Sequence, residues 1–481
     1  MATPIPPNRC SFTAAEIARI TGAPPLSGGD FRTASVSIDS RSLTPGALFV
    51  ALRGLRDGHE YLEAAARTGA AAALVEPGRA VSALPCFEVD DPLTALGTMA
   101  RAHLERTRRS IPTIAIGGAA GKTTTKELTA AVMTALCGAT LATPGNLNNL
   151  IGVPMTIFTL EQTHRAAVLE CGTNQRGEIA RLAAIVQPDA ALVLSVDIEH
   201  TEGLGSLAGV ADEEAALFAT ARRAVVSTAE TLLLERVPAG MPRFTFGLDP
   251  AADVRLGART ISGAGEQIIE LELRPPLVES GIAPRLRVRL SLLGASSALN
   301  AASAIAAAAA ALARPFAASE LAAIADALAR VRPPAGRLEL RKFGGIVAID
   351  DTYNSNPRSL RAALAAARET ADGLRARLIV ALGDMLELGE LSAAMHAEAL
   401  REIAQMRPDA CVLVGGEMRR AAASHAAPHL ALVTIADDSL AAAPIVAKLA
   451  RAGDVLLVKG SRGIAMERIL AALPGEDAGL R

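Results

Sequence analysis

Short, almost uninterrupted apolar runs alternate with longer stretches of helix-forming residues along most of this 481-residue chain. Apolar runs of about four to eight residues are typical of parallel strands that are covered on both faces. Helix formers at helical spacing lie between the runs, for example in 319–330 and 359–369. The alternation predicts an α/β fold with largely parallel sheets. The runs are 113–116, 166–170, 191–196, 346–349, 378–382, 411–414 and 455–458.

The length indicates more than one domain, because a domain commonly takes about 100–200 residues. One boundary falls near 88–92, before a helical stretch. A second is Arg332-Pro-Pro-Ala-Gly336, where two prolines and a glycine end a helix. Residues 255–289 alternate apolar and polar side chains, which predicts an antiparallel β insert. We therefore predict three domains, at 1–88, 89–331 and 332–481.

The composition excludes several classes of protein. Half of the residues are hydrophobic, which argues against wholesale disorder. The 48 basic and 50 acidic side chains nearly cancel and aromatic residues make up 2%, so we expect no nucleic-acid partner. The five scattered cysteines include no CxxC pair, which argues against disulfides and closed zinc sites. Without a signal-peptide core or a run of roughly 20 apolar residues, we predict a soluble cytoplasmic protein with no membrane span.

The strongest local motif runs from Ile114 through Gly-Gly-Ala-Ala-Gly to Lys122-Thr-Thr. Glycines let backbone N–H groups curl around a phosphate, and the following helix N-terminus favours an anion. The motif predicts an ATP site, with Lys122 at the β/γ-phosphates and Thr123 on Mg²⁺. It is a shortened phosphate loop, since isoleucine stands where the first glycine is expected, and a structural turn is the alternative. The loop residues are Gly118, Ala119, Ala120, Gly121, Lys122, Thr123 and Thr124.

Further motifs follow this loop in a fixed order. They are GNLNNLIGVP at 145–154, VLECGTN at 168–174, HTEGLGS at 200–206, DDTYNSNP at 350–357, GDMLELG at 383–389 and KGSR at 459–462. Together with Asp39-Ser-Arg41 and Asp57-Gly-His59, they closely resemble the Mur ligase family over nearly the whole chain. The resemblance implies an N-terminal UDP-sugar-binding domain, a central P-loop ATPase-like domain and a C-terminal Rossmann-like domain.

The resemblance also implies an activity: ATP-dependent joining of D-alanyl-D-alanine to UDP-N-acetylmuramoyl-tripeptide through an acyl phosphate. The cofactors would be ATP and Mg²⁺, the process peptidoglycan precursor synthesis, and the active form a monomer. One alternative is a sister ligase that adds another amino acid. A second is a weakened paralogue that binds nucleotide or acts as a scaffold.

Site residues follow from the same resemblance. Glu170 and His200 match metal ligands beside Thr123, and Arg337 matches an arginine that reaches the terminal phosphate. The further nucleotide contacts would be Asn300, Asp350, Tyr353 and Asn354. For Ser40, Arg41 and His59, turn stabilisation is the alternative, and for the C-terminal candidates it is a structural loop. The substrate-binding candidates are Ser40, Arg41, His59, Asn146, Asn149, Asp384, Glu387, Lys459 and Arg462.

Two departures from the family pattern fall in the site. Serines at 296 and 297 stand where the family has His-Asn, so we expect weaker discrimination of adenine. Glu214 stands where the family has a lysine that is carbamylated and helps to bind a second metal. We predict that Glu214 is catalytic and replaces this carbamate through a water or a shifted metal, which would make bicarbonate unnecessary. A weakened enzyme is the alternative.

Overall fold

The computed structural model describes residues 3–26, 30–107, 111–197, 204–263, 265–424 and 433–476. Within these ranges the strands form three sheets, made of β1–β4, β5–β13 and β14–β19 in chain order. Each predicted domain segment contains one of the three described sheets. Most neighbouring strands are parallel and joined through helices, so the predicted α/β fold class is confirmed.

The N-terminal sheet is small and parallel, with its strands in sequence order. A helix precedes it, and a second helix connects β2 to β3. A capping box at Thr13 and Glu16 starts the first helix, and Gly22 in the left-handed region ends it. The elements are α1 Ala14–Thr21, β1 Ser35–Ser37, β2 Ala47–Val50, α2 Leu62–Thr68, β3 Ala72–Val75 and β4 Cys86–Glu88.

The central sheet has the order β13-β12-β11-β10-β9-β8-β5-β7-β6. The neighbouring pairs from β10–β11 to β7–β6 are parallel. The pairs β11–β12 and β12–β13 are antiparallel, which confirms the predicted insert. The strands are β5 Thr113–Gly117, β6 Thr140–Ala142, β7 Ala166–Glu170, β8 Ala190–Val193, β9 Ala224–Ser227, β10 Arg243–Gly247, β11 Val254–Ser262, β12 Glu266–Leu273 and β13 Arg285–Leu290. The helices are α3 Pro92–Thr107, α4 Lys122–Cys137, α5 Gly152–Ile157, α6 Glu178–Val186, α7 Leu207–Ala215, α8 Thr231–Leu234, α9 Gly294–Leu312 and α10 Ala318–Arg330.

Strand β8 ends earlier than the sequence predicts. The apolar run 191–196 indicated a strand to its last residue, but β8 stops at Val193. The next residues leave the sheet to hold the loop after β5, because the Ser195 carbonyl accepts a hydrogen bond from the Ala119 amide at 2.8 Å. The hydrophobicity of this run reflects burial next to that loop, and not strand pairing.

Helix α9 is long and apolar enough to cross a membrane by length and composition alone. In the structure it packs against the central sheet, and its alanines from 301 to 310 are at most 1% exposed. Small side chains let the helix axis approach the sheet and helix α4 closely. The helix is therefore part of the core of the central domain.

The C-terminal sheet has the order β14-β15-β19-β16-β17-β18. Strand β14 pairs antiparallel with β15, and the remaining described pairs are parallel. The strands are β14 Glu339–Phe343, β15 Ile346–Asp351, β16 Leu378–Gly383, β17 Ala410–Val414, β18 Val433–Ala436 and β19 Val455–Lys459. The helices are α11 Pro357–Leu374, α12 Ser392–Met406, α13 Gly416–Ser424, α14 Ser439–Leu449 and α15 Glu467–Ala471.

Helix α11 joins the C-terminal domain to the central one. A Cβ on Gly294, at the start of α9, would lie 3.1 Å from the Ala366 Cβ, so the two helices meet through small residues. Two ion pairs flank this contact: Arg358 with Glu230 at 2.7 Å, and Arg259 with Glu369 at 2.9 Å. The carboxyl ends of the central and C-terminal strands thereby face one another, which is where α/β sheets commonly bind ligands.

Candidate active site

A cavity of about 650 Å³ lies between the two sets of strand ends. The loops after β5, β7 and β8 form its central wall, and the loops after β15, β16 and β19 form its C-terminal wall. Many of the residues that the sequence predicts for the site lie on these walls. They are Ala119, Ala120, Gly121, Lys122, Thr123, Thr124, Asn146, Asn149, Glu170, Asn300, Arg337, Tyr353, Asn354, Glu387, Lys459 and Arg462.

The loop between β5 and α4 has the geometry of a phosphate cradle. Gly118 and Gly121 have φ values of +113° and +86°, which side chains disfavour. A Cβ on Gly118 would lie 2.8 Å from the Leu194 amide nitrogen, so this position also lacks room for one. Gly121 starts α4, whose exposed N–H groups and dipole point into the cavity and favour an anion. The Asn300 side chain lies against Gly121.

Lys122 and Gly118 are engaged with the protein itself. The Lys122 ammonium donates to the Gly118 carbonyl. The Gly118 N–H donates to Glu214 Oε2 at 2.6 Å, and Gly118 does not line the cavity. The Gly118 amide therefore has a partner beneath the loop in this structure, and its contact with the nucleotide stays a prediction.

Glu170 presents an unpartnered oxygen to the cavity. Its residue is 1% exposed, and its Oε1 accepts from Asn148 at 2.8 Å and from the Thr123 hydroxyl at 3.3 Å. Its Oε2 is buried and finds no hydrogen-bond donor among the described residues. A buried carboxylate oxygen without a partner is costly unless a cation is nearby. The Thr123 hydroxyl and Glu170 carboxylate are hard oxygen ligands of the type that Mg²⁺ prefers, so the residues present fit this ion.

The remaining predicted metal ligand, His200, lies outside the described residues. In the described part of the chain, no three His, Cys, Asp or Glu side chains form a cluster that could hold a metal. This is compatible with Mg²⁺, which keeps several waters and commonly takes one or two carboxylates.

Glu214 lies beneath the phosphate loop and not in the cavity. Its residue is 2% exposed, in the last turns of α7. Burial raises the pKa of its carboxyl group, while the Lys122 charge and the Gly118 hydrogen bond act in the opposite direction. Since one of its oxygens is bound to the loop backbone, the structure does not support the predicted replacement of a metal-binding carbamate.

Charged residues of the C-terminal wall are paired with each other. The Lys459 ammonium donates to Asp351 Oδ2 at 2.7 Å and to the Asn354 carbonyl at 2.9 Å. The Arg337 guanidinium lies over the Tyr353 ring, 4.1 Å from its centroid, which is within cation–π range. The Lys459 contacts hold the loop after β15 against the end of β19, and the Arg337 contact holds the same loop against the segment before β14.

Asp351 lines the cavity, whereas its neighbour Asp350 does not. The two residues are consecutive in a strand, so their side chains point to opposite faces. Asp350 accepts from the Thr352 hydroxyl at 2.7 Å and pairs with Arg341 at 3.3 Å. The ribose contact by Asp350 stays a prediction.

Asp384 makes contacts within the C-terminal domain. Its carboxylate accepts from the backbone N–H groups of Glu417 and Met418, at 3.2 and 2.8 Å, and so caps α13. It does not line the large cavity, whereas Glu387 and Arg462 do. Arg462 also lies 3.4 Å from Glu467. The cap favours the structural-loop alternative for Asp384, and its binding of substrate stays a prediction.

The N-terminal candidates make local contacts and lie away from this cavity. Arg41 forms a two-pronged ion pair with Asp39 at 2.9 and 2.7 Å, and Ser40 accepts from Thr68 through its carbonyl. His59 is buried, with Asp57 on one ring nitrogen and the Glu76 amide on the other. These contacts favour the turn-stabilising alternative, most clearly for His59, and UDP binding by the three stays a prediction.

Four residues of the site were missed by the sequence analysis. Asn148 orients Glu170, and Asp351 anchors Lys459; both stand inside motifs whose neighbouring residues were chosen. Ser195 lines the central wall, and its buried hydroxyl has no partner among the described residues. Arg358 contributes a cationic side chain to the cavity wall from the first turn of α11. No pattern in the sequence marked the last two.

A phosphate cradle, an orphaned carboxylate oxygen and a facing second domain define an enzyme that acts on a nucleoside triphosphate. Comparison with known families identifies it further. The model of the Mur ligase middle domain matches residues 116–308, that of the glutamate ligase domain of Mur ligases 336–462, and that of the Mur ligase family catalytic domain 32–104. The chain belongs to the Mur ligase family of ATP-dependent ligases.

Individual relatives cover nearly the whole chain. The UDP-N-acetylmuramoyl-tripeptide–D-alanyl-D-alanine ligase of Escherichia coli (strain K12) is 34% identical over 93% of this chain and 95% of its own length. A crystal structure of MurF from Acinetobacter baumannii has a TM-score of 0.84 and 26% identity, covering 97% of this chain and 99% of that one. MurF from Thermotoga maritima in complex with ADP has a TM-score of 0.77 and 26% identity, covering 91% and 96%.

Proposed function

We propose that this chain joins D-alanyl-D-alanine to UDP-N-acetylmuramoyl-tripeptide, using ATP, during the synthesis of the peptidoglycan precursor. The full-length relative from Escherichia coli carries that activity in its name. The observation that carries the proposal is the cavity itself, in which a phosphate loop and Glu170 face Arg337 and Tyr353 of a second domain.

The chemistry has two steps. A carboxylate oxygen of the tripeptide attacks the γ-phosphorus of ATP, ADP leaves, and an acyl phosphate forms. The amine nitrogen of D-alanyl-D-alanine then attacks the acyl carbon, the C–N bond forms, phosphate leaves and the amine loses a proton. Negative charge develops in the transition states of both steps, and cationic groups and N–H groups that point toward it must stabilise it. Lys122 and the N-terminus of α4 supply these groups.

The Thr123 hydroxyl and Glu170 Oε2 would hold Mg²⁺ here, with His200 as a further candidate. When bound, this ion reduces the repulsion between the triphosphate and the attacking carboxylate. Asn148 keeps Glu170 in position by donating to its other oxygen at 2.8 Å. The chain therefore orients one carboxylate oxygen toward a neighbouring residue and leaves the other for the cation.

Closure of the C-terminal domain would complete the site. Arg337 and Tyr353 belong to this domain and line the cavity in the structure, in which α11 lies against α9. Excluding water protects an acyl phosphate from hydrolysis until the amine arrives. On this proposal, residues 1–88 bind the UDP-sugar, 89–331 bind ATP and 332–481 complete the site, in a cytoplasmic monomer.

Phosphate release from purified protein tests the proposal. The assay supplies ATP, Mg²⁺, UDP-N-acetylmuramoyl-tripeptide and D-alanyl-D-alanine, and then omits each peptide substrate in turn. We expect release that requires both peptide substrates and is lost in Lys122→Ala. A matched control is Lys342→Ala, an exposed lysine in β14 remote from the cavity lining.

Two results would contradict the proposal. Release with a single amino acid in place of D-alanyl-D-alanine, but not with the dipeptide, would indicate a sister ligase. Binding of ADP without substrate-dependent release under any condition would indicate a nucleotide-binding protein without ligase activity.

A further inference from the structure

The underside of the phosphate loop is held by a buried carboxylate. Glu214 Oε2 accepts the Gly118 N–H at 2.6 Å and lies 2.8 Å from where a Cβ on Gly117 would stand. The residue is 2% exposed and contributes nothing to the cavity wall. One oxygen of this carboxylate is therefore committed to the loop backbone.

The same residue is held on its other side by Lys122. The Gly118 carbonyl accepts from the Lys122 ammonium, so Gly118 is bound at its N–H by an acid and at its C=O by a base. Its φ of +113° is one that glycine adopts without strain, but glycine is also free to leave it, so the two hydrogen bonds select this conformation. Burial raises the pKa of the Glu214 carboxyl group, and the Lys122 charge acts against this rise.

The neighbouring residue provides an internal comparison. Glu213 is also buried, but its carboxylate accepts from the Gly177 and Ile179 amides, at 2.7 and 2.8 Å, at the start of α6. Both acids thus bind backbone N–H groups of loops next to the cavity. Only Glu214 does so at the phosphate loop, among the described residues.

We infer that Glu214 is a positioning residue that sets the shape of the phosphate loop and balances the charge of Lys122 until the nucleotide binds, without ligating the metal. The inference rests on the proposed use of ATP. Its hydrogen bond favours the binding-competent loop, whereas its negative charge opposes the arriving phosphates. The two contributions have opposite signs, so a variant that keeps one and removes the other separates them.

Glu214→Gln keeps an acceptor oxygen of the same reach and removes the charge. We expect it to bind ADP without Mg²⁺ about 3- to 10-fold more tightly, because the repulsion between the Glu214 carboxylate and the ADP phosphates is removed. The Mg²⁺ concentration for half-maximal ATP turnover should stay within about twofold, since no metal ligand is lost. Glu214→Ala removes the acceptor too, and ADP binding should weaken by about 10-fold, as expected when a buried N–H loses its partner.

Glu213→Gln is the matched control, because it neutralises a buried acid one residue away. Its ADP affinity should stay within about twofold of wild type. Its melting temperature can fall, because the hydrogen bonds of residue 213 to the start of α6 are weakened. Thermal unfolding of each variant verifies that the binding changes are measured on folded protein. Calorimetric binding of ADP needs neither peptide substrate, so it reports on Glu214 even if the ligase reaction proves wrong.

The inference is overturned if Glu214→Gln raises the Mg²⁺ requirement tenfold or more while metal-free ADP affinity is unchanged. That result would make Glu214 a metal ligand. It is also overturned if Glu213→Gln and Glu214→Gln change ADP affinity equally, because the effect would then be one of general stability.

Discussion

Two buried charged side chains, one on each wall of the cavity, are held in opposite ways. On the central wall, Glu170 Oε2 is buried and has no donor among the described residues. On the C-terminal wall, Lys459 is paired with Asp351 and with the Asn354 carbonyl. Glu170 is thus prepared for an external partner, whereas Lys459 already has partners within its own domain. Chemistry is expected to depend on the first, and loop shape and stability on the second.

The largest effect is expected on the C-terminal wall. Lys459→Met leaves Asp351 buried without its cation, which should lower the free energy of unfolding by about 3 to 5 kcal/mol. The side chains of Lys459 and Asp351 are only 1% and 12% exposed, so solvent cannot replace the lost partner. Urea unfolding measures the change. In the double variant with Asp351→Asn most of the loss should be recovered, and no recovery would mean that the pair is not the cause.

Glu170→Gln should do the reverse, affecting chemistry and sparing stability. We expect kcat to fall by about 10²- to 10³-fold, as when a group that stabilises transition-state charge is removed. The free energy of unfolding without metal should be unchanged or higher, because a buried unpartnered charge is gone. Steady-state kinetics and urea unfolding on the same preparation test both parts. A loss of stability like that of Lys459→Met would remove the distinction between the walls.

A third setting for a titratable group is the buried contact between the N-terminal segment and α3. His103 is buried there, donating to the Leu160 carbonyl and accepting from Arg106 at 3.0 Å each. Burial, with the Arg106 charge, lowers its pKa below the usual 6.5. The unfolded chain therefore binds a proton that the folded chain resists, and stability present above pH 6.5 is lost as the pH falls below it.

Titration of this one histidine can change the free energy of unfolding by at most about 1.4 kcal/mol per pH unit. His103→Gln should flatten the fall in unfolding free energy between about pH 6.5 and 5. At pH 8, where the imidazole is neutral in both states, the variant differs from wild type only by its lost contacts. An unchanged slope would show that other groups cause the acid sensitivity.

The smallest effect is expected at the contact between the two walls. Glu230→Gln removes the Arg358 ion pair next to the cavity, and Glu369→Gln removes the Arg259 pair farther along α11. Partly exposed pairs are worth about 0.2 to 1 kcal/mol, so the KM for ATP should rise roughly 1.5- to 5-fold. Each pair has one partly exposed partner, Arg358 at 43% and Glu369 at 32%, so the two variants should give changes of similar size. Equal KM values in both variants and wild type would mean that these pairs do not influence closure.

The sequence predicted the α/β class, the antiparallel insert and the strands that lead into the site. These depend on local hydrophobic patterns, which are visible in a single chain. It predicted side-chain contacts less well. Asp350 was assigned from the family resemblance, and alternation along a strand does not say whether it or Asp351 meets the cavity. The hydrogen bond between Gly118 and Glu214 could not be predicted, because it joins residues 96 positions apart.

Asp384 shows the same limitation in the C-terminal domain. A carboxylate at a strand end is compatible with a ligand site and with a helix cap, and the choice depends on where α13 begins. That helix starts 32 positions later, at Gly416, and takes both oxygens of Asp384. Ser195 and Arg358 were missed because burial at a domain contact leaves no periodic signal.

Helices α9 and α11 touch through residues that carry almost no side chain. Gly294 meets the Ala366 methyl group and the Ala362 carbonyl. Neither glycine nor alanine has rotamers to rearrange, whereas the residue before Gly294, Leu293, is buried in the apolar cluster of α11 and the C-terminal sheet. Release of the products therefore requires this one leucine to return to water, and its burial acts together with the flanking ion pairs to keep the enzyme shut.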